Sequence, residues 1–133
     1  MIITRFTKER NMKKVLLGET YSCLVYSVPN DVADNLREYC LKYCTWLQKS
    51  PDAKATRKKW PHPCDEGFIQ YLNRFAFPQY ESKLVEELDG ERSYIRLCDM
   101  PEGSFRDEFM ANDNLPDRYR NNPTYNSLPY FYF

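Results

Sequence analysis

Glycine and histidine are scarce in this chain of 133 residues, which carries four glycines and one histidine. So few glycines leave no phosphate-binding glycine loop and no dinucleotide fingerprint, because both need glycines at close, fixed spacing. His62 is the single histidine, which excludes any mechanism that needs two, such as a paired-histidine phosphodiesterase. The zinc deaminase signature is missing as well, because no glutamate stands two positions after His62 and no cysteine pair follows.

Long hydrophobic runs are also missing. Hydrophobic residues make up 42% of the composition, but no uninterrupted apolar run approaches the roughly 18 residues that a membrane span requires. The first residues lack the order of charged region, apolar region and cleavage site that marks a signal peptide. We therefore expect a protein without membrane contact, kept in the cytoplasm of the producing or infected cell.

The cysteines are odd in number and scattered, so no disulfide framework is predicted. They are Cys23, Cys40, Cys44, Cys64 and Cys98. We interpret them as reduced thiols that are mostly buried, where a thiol behaves as a small hydrophobic residue. No cofactor is expected.

The strongest pattern in the sequence is an apolar stripe in the region 29–60. Its members recur at intervals of four, four, three and four residues: Val32, Leu36, Cys40, Tyr43 and Leu47. This spacing predicts one long amphipathic helix, Asp31 to Lys49, with one face buried. Ser50 and Pro51 then predict the start of a short second helix, as cap and first residue. Prolines 61 and 63 predict extended backbone up to Cys64.

Strand patterns flank this helix. The best is Tyr21 to Val28, which is apolar on both faces and is therefore predicted to lie centrally in a sheet. Shorter strands are predicted at 2–6, at 15–17 with Gly18 ending the strand, and at 93–98. Further helices are predicted from Cys64 to Pro78 and from Tyr80 to Asp89, with helical turns at 104–110.

These elements predict an α+β fold. We expect a small, mostly antiparallel sheet of about three to four strands, packed by one long amphipathic helix and two or three shorter helices. Residues 1–110 form the predicted single domain. Residues 111–133 are rich in asparagine, proline and aromatic residues, which predicts an irregular segment that packs back onto the domain.

One combination of residues resembles a metal site, although we predict no metal. Its candidate ligands are Cys40, Cys44, His62 and Cys64. Residues four apart share a helix face, and three thiolates with one imidazole suit zinc. The usual close pair of cysteines on a tight turn is missing, however, which favours core packing for these thiols. Cys64 as a catalytic nucleophile is disfavoured by the acidic residues after it, so no catalytic residue is predicted.

The formal net charge is zero, but basic residues cluster near 1–14 and 49–60 and acidic residues between 81 and 113. This polarity is suited to orienting a partner or a second copy of the chain, so a homo-oligomer is one expectation. The predicted contact residues are the basic segment and the aromatic terminus: Lys54, Arg57, Lys58, Lys59, Trp60, Tyr130, Phe131, Tyr132 and Phe133.

Three functions agree with these observations. The leading one is a non-enzymatic protein-interaction module, compatible in composition with a virus- or phage-encoded accessory or inhibitory protein that binds a host protein surface. The alternative is a nucleic-acid-binding protein, in which the cations of segment 54–60 neutralise phosphates and Trp60 stacks on a base. A small enzyme without a recognisable motif is the second alternative.

Overall fold

The computed structural model describes residues 11–19, 22–91 and 115–133. Three predicted elements lie outside these residues: the strand at 2–6, the strand at 93–98 and the helical turns at 104–110. Cys98 lies outside them as well. Within the described residues the fold is α+β, as predicted, with a four-stranded sheet and five α-helices.

The sheet is mixed but mostly antiparallel. Its strands are β1 (Met12–Glu19), β2 (Ser22–Pro29), β3 (Lys83–Glu87) and β4 (Tyr130–Tyr132). Their spatial order is β3-β2-β1-β4, and only the β1–β4 pairing is parallel. The strongest predicted strand, β2, therefore lies inside the sheet, as its two apolar faces indicated.

β1 is longer than predicted. Gly18 does not end the strand, because it pairs with Cys23 on one side and with Tyr132 on the other. Two neighbouring strands supply hydrogen bonds to this part of β1, so the backbone stays extended where glycine alone favours a break. Glu19 consequently lies in the strand, opposite Ser22.

The predicted long helix forms as two helices, α1 (Asn30–Asp34) and α2 (Leu36–Lys49). The break lies at Asn35, whose backbone has φ −133° and ψ 41°. Its side-chain Nδ2 donates to the Asp31 carbonyl oxygen at 3.0 Å, and such local bonds compete with helical ones. The buried face of α2 nevertheless consists of the predicted residues Leu36, Cys40, Tyr43 and Leu47.

The short helices after α2 follow the local signals. Ser50 Oγ accepts a hydrogen bond from the Asp52 amide, and a 3₁₀ turn, Pro51–Ala53, leads into α3 (Lys54–Lys59). α4 (Asp65–Tyr71) begins after Cys64 and continues as a π-helical segment, Leu72–Ala76, that ends before Pro78. The start and the end of this region agree with the prediction.

The helix predicted from Tyr80 to Asp89 is wrong, because this segment contains the edge strand β3. Asn73 fixes its entry: the Ser82 amide donates to Asn73 Oδ1 at 2.7 Å, and Asn73 Nδ2 donates to the Ser82 carbonyl at 2.9 Å. β3 then pairs with β2, with a bulge between Val25 and Tyr26. Inter-strand hydrogen bonds outweigh a helical spacing that rests on only three apolar residues.

Both faces of the sheet are covered. The larger core packs β1 and β2 residues such as Val15 and Tyr26 against α1, α2 and α4. The smaller core, on Leu16 and Val25, is covered by part of the C-terminal segment, which includes Leu115 and Tyr125. That segment also contains a 3₁₀ turn, Asp117–Tyr119, and α5 (Pro123–Asn126). Among the described residues, no helix is long and apolar enough to cross a membrane.

Candidate binding pocket beside Trp60

A pocket of about 380 Å³ opens where the end of β1 meets the proline-rich loop between α3 and α4. Its lining residues come from three parts of the chain: Glu19, Lys59, Trp60, Pro61, His62, Pro63, Cys64 and Phe133. We call it the Trp60 pocket. The Lys59 ammonium lies 4.6 Å from the centre of the Trp60 ring, within the range of a cation–π contact. The pocket thus combines aromatic walls, a cation and a carboxyl group.

The inner side of the pocket is built on a buried carboxylate. Asp65, the first residue of α4, is 5% exposed, and its Oδ2 accepts a hydrogen bond of 2.5 Å from the Tyr26 hydroxyl. The Asp65 amide lies 3.4 Å from Glu19 Oε1, and carboxyl oxygens of the two residues lie within 4.8 Å of each other. A buried carboxylate is tolerated when it has a hydrogen-bond donor, which Tyr26 supplies.

Two groups at the pocket have altered acidities. Burial raises the pKa of Glu19, and the hydrogen bond and the charge of Asp65 raise it further. Burial likewise raises the pKa of the Cys64 thiol, although a hydrogen bond from the Gly67 amide opposes this. The Cys64 thiol thus has less thiolate character than an ordinary cysteine, which is unfavourable for a nucleophile.

The weak zinc candidate does not assemble. Cys40 is fully buried in the larger core, while His62 is exposed on the loop. Among the described residues, the one group of three metal-ligand types within 4.8 Å consists of Glu19, Cys64 and Asp65. Its atoms already have protein partners: Cys64 Sγ accepts from the Gly67 amide, Asp65 Oδ2 from the Tyr26 hydroxyl, and Glu19 Oε1 from the Asp65 amide. We therefore assign it no metal.

Gly67 is required where α4 passes α2. A Cβ atom at this position would lie 2.2 Å from the Tyr43 hydroxyl oxygen. The same hydroxyl accepts a hydrogen bond from the Cys64 amide at 3.4 Å. Tyr43, which lies in the larger core, therefore positions the backbone of Cys64, and Cys64 lines the pocket.

The basic segment divides into exposed cations and one structural cation. Lys54, Lys58 and Lys59 are exposed. Arg57 instead points back at the end of α2: its Nη1 donates to the Leu47 carbonyl at 2.8 Å and to the Gln48 carbonyl at 3.1 Å. These carbonyls lack helical partners, so Arg57 serves as a C-terminal cap of α2.

The aromatic terminus alternates between the two sides of the sheet. Phe131 and Phe133 pack on the larger core, while Tyr130 packs on the smaller one. The Phe133 ring lies 6.1 Å from Tyr43 and 6.0 Å from Phe68, measured between centroids. Tyr132 is half-buried. Of the four terminal aromatics, Phe133 is the one that lines the Trp60 pocket.

The structure thus brings Lys59, Trp60 and Phe133 together, whereas Arg57 lies apart in a structural role. The sequence analysis missed Glu19, Tyr26 and Asp65. Asp65 and Glu19 are separated by 46 positions and Tyr26 and Asp65 by 39, so no local spacing marks them. The alternating pattern of β2 indicated only one part of this arrangement, namely that Tyr26 lies on the face of the larger core.

No protein-family model matches this chain, and no curated protein or solved structure matches it.

Proposed function

We propose that this protein is a non-enzymatic interaction module that binds an acidic segment of another protein. One observation carries the proposal: the exposed end of the basic segment and the terminal Phe133 line a single pocket with Trp60. Each of the two contact regions predicted from the sequence therefore contributes residues to this pocket.

The chemistry of this surface selects the partner. Lys59 lines the pocket, and Lys54 and Lys58 are exposed on the same short helix, α3. These positive charges favour a partner with negative charge. Trp60, Phe133 and two prolines supply the apolar part of the pocket wall. The pocket volume lies near the low end of the usual range for ligand pockets, roughly 300–1,000 Å³. It is suited to one apolar or aromatic side chain of the partner, with acidic residues on either side of that anchor.

A random peptide library displayed on phage tests this proposal. Selection on the immobilised protein at low salt is expected to enrich peptides that carry aspartate or glutamate beside a leucine or an aromatic residue. Synthetic peptides of this class should lose at least about tenfold in affinity for Trp60→Ala and for Lys58→Ala/Lys59→Ala. The matched control, Lys14→Ala/Lys83→Ala, removes two exposed lysines from the sheet and should bind normally.

The proposal is wrong if no peptide class is enriched, or if the enriched peptides bind the Trp60 and lysine variants as tightly as the parent protein. Circular dichroism spectra of each variant verify that a loss of affinity is not a loss of folding.

Nucleic acid is the second candidate, favoured by the exposed lysines beside the Trp60 indole. Binding of short DNA or RNA oligonucleotides would fall steeply with salt, because phosphate contacts release counterions. The capping role of Arg57 leaves three exposed cations in the segment, which favours the protein partner. Oligonucleotide binding that is abolished by Lys54→Ala/Lys58→Ala/Lys59→Ala, without enriched peptides, would replace the leading proposal.

A small enzyme is the third candidate. It is disfavoured because the pKa of the Cys64 thiol is raised, which leaves this cysteine unactivated as a nucleophile at the pocket. A role as a virus- or phage-encoded accessory protein rests on composition. A cytoplasmic location is supported by the free thiols of Cys40, Cys44 and Cys64, as a reducing compartment maintains them.

A further inference from the structure

The outer face of α2, opposite the core, carries a shallow groove of about 500 Å³. Its lining residues are Glu38, Leu41, Lys42, Thr45 and Trp46. Leu41 is 48% exposed although it is apolar, and Phe75 beside the groove is 44% exposed. The Phe75 ring contacts the Trp46 ring at a tilt of 52°, with centroids 4.9 Å apart, so apolar surface continues from α2 onto the π-helical segment.

The groove has the geometry that receives another helix. Side chains four residues apart form ridges on a helix surface. One ridge here is Glu38, Lys42 and Trp46, and the next is Leu41, Thr45 and Lys49. The groove lies between these ridges, which is where a ridge of a second helix packs in the commonest class of helix contacts.

The charges at the two ends of α2 make this face complementary to itself, while the Lys42 ammonium between them lies 3.4 Å from the Glu38 carboxylate of the same helix. Glu38 lies near its amino-terminal end and Lys49 is its last residue, a separation of about 16 Å along the axis. In an antiparallel pair related by a two-fold axis, Glu38 of one copy lies opposite Lys49 of the other, and this pair occurs twice. In this register Leu41 of one copy lies opposite Trp46 of the other, and Lys42 lies opposite Thr45.

We propose that this groove is a homodimer interface, in which α2 of one copy packs against α2 of a second copy in antiparallel orientation. A two-fold interface uses the same patch on both copies, so a self-complementary face is what it requires. One helix and its flanking aromatic residue form a small interface, below the roughly 1,200 Å² of standard specific complexes. The fraction of protein in the dimer is therefore expected to rise with protein concentration.

Sedimentation velocity over a concentration series tests this proposal. The mass of the parent protein is expected to rise from 16.0 kDa toward twice that value. Leu41→Asp should remain monomeric at every concentration, because it places a carboxylate against the Trp46 ring of the other copy, and does so twice. The matched control is Leu84→Asp, which changes an equally exposed leucine, 50% against 48%, on the edge strand β3 and should dimerise as the parent does.

Charge reversal tests the orientation of the pair. Glu38→Lys and Lys49→Glu should each weaken dimerisation, and the double variant should restore it, because every copy supplies both residues. A parent protein that stays monomeric overturns the proposal, as does a Leu41→Asp variant that dimerises normally. Failure of the double variant to recover overturns the antiparallel arrangement.

Discussion

Glu19 and Asp65 have carboxyl oxygens within 4.8 Å of each other, and of the two residues only Asp65 is buried. Tyr26 donates to the same Asp65 carboxylate, and the pKa of Tyr26 is raised by its burial and by this hydrogen bond. Two carboxylates this close repel each other when both are ionised, so the pair favours a proton on Glu19. At the scale of single residues, the stability of the folded protein is therefore linked to the protonation of Glu19.

The first prediction concerns Glu19→Gln. In the folded protein the Glu19 pKa lies above its ordinary value of 4.5, so the folded state holds this proton more tightly than the unfolded chain does. The free energy of unfolding is therefore highest at pH values below the ordinary pKa of Glu19, and it falls as the pH rises through the raised pKa. Glu19→Gln keeps the hydrogen bonds without titrating, and should be more stable than the parent near neutral pH.

Urea denaturation across the acidic to neutral range checks this prediction. The difference between Glu19→Gln and the parent should shrink as pH is lowered, because the parent then carries the proton. Glu87→Gln is the control, since it makes the same change at an exposed residue of β3. Parallel profiles for the parent and Glu19→Gln would show that this carboxyl pair does not control the pH dependence.

At the scale of elements, the stability of α2 depends on how its two ends are capped. Its amino-terminal end follows the break at Asn35, with no side-chain cap. At its carboxy-terminal end Ser50 begins the next turn, while the Arg57 guanidinium binds carbonyls of the last turn. A positive charge at this end also interacts favourably with the helix dipole. The cation that sequence reasoning assigned to binding thus stabilises the helix junction.

The second prediction follows from this junction. Arg57→Ala should lower the free energy of unfolding by about 1–2 kcal/mol, because charged hydrogen bonds to helix carbonyls are lost. Arg57→Lys should recover only part of the loss, since a single ammonium cannot reproduce the spread of the guanidinium. Lys58→Ala, the exposed neighbour, should stay within about 0.5 kcal/mol of the parent. Equal losses for Arg57→Ala and Lys58→Ala in denaturation would contradict the capping role.

At the scale of the whole molecule, the C-terminal segment completes both layers on the sheet. Tyr125 donates to the Glu86 carboxylate at 2.8 Å, which ties α5 to β3. β4 then runs parallel to β1, and the Phe133 amide donates to the Gly18 carbonyl at 2.8 Å. Three of the terminal aromatics that the sequence analysis predicted as partner contacts are partly buried against a core: Tyr130, Phe131 and Phe133. Phe133 also lines the pocket.

The third prediction is that Phe133→Ala lowers the free energy of unfolding by about 2 kcal/mol, since it removes most of a large apolar side chain from the contact with Tyr43 and Phe68. Phe133→Leu should retain most of the stability, because it keeps apolar bulk there. Ending the chain at Pro129 should cost more than Phe133→Ala, because it also removes the β4 hydrogen bonds. Unchanged denaturation midpoints for the shortened chain would show that the terminus is not part of the core.

Local patterns were sufficient wherever neighbouring residues decide the backbone. The alternation in β2, the buried stripe of α2 and the Ser50-Pro51 helix start were all predicted, because each reflects side-chain spacing or capping within a few residues. The same reasoning failed for β3, where only the partner strand β2 determines that the segment is extended. It also failed at Gly18, where β2 and β4 hold the strand together.

The sequence by itself determined the α+β class and which face of α2 is buried, because hydrophobic periodicity selects both. Only the tertiary structure decided what lies at the Trp60 pocket. Glu19, Asp65 and Phe133 come from distant parts of the chain, and they meet because the β1–β2 hairpin, α4 and the parallel strand β4 converge at one end of the sheet. Such contacts depend on packing between elements, for which no spacing along one sequence is a signal.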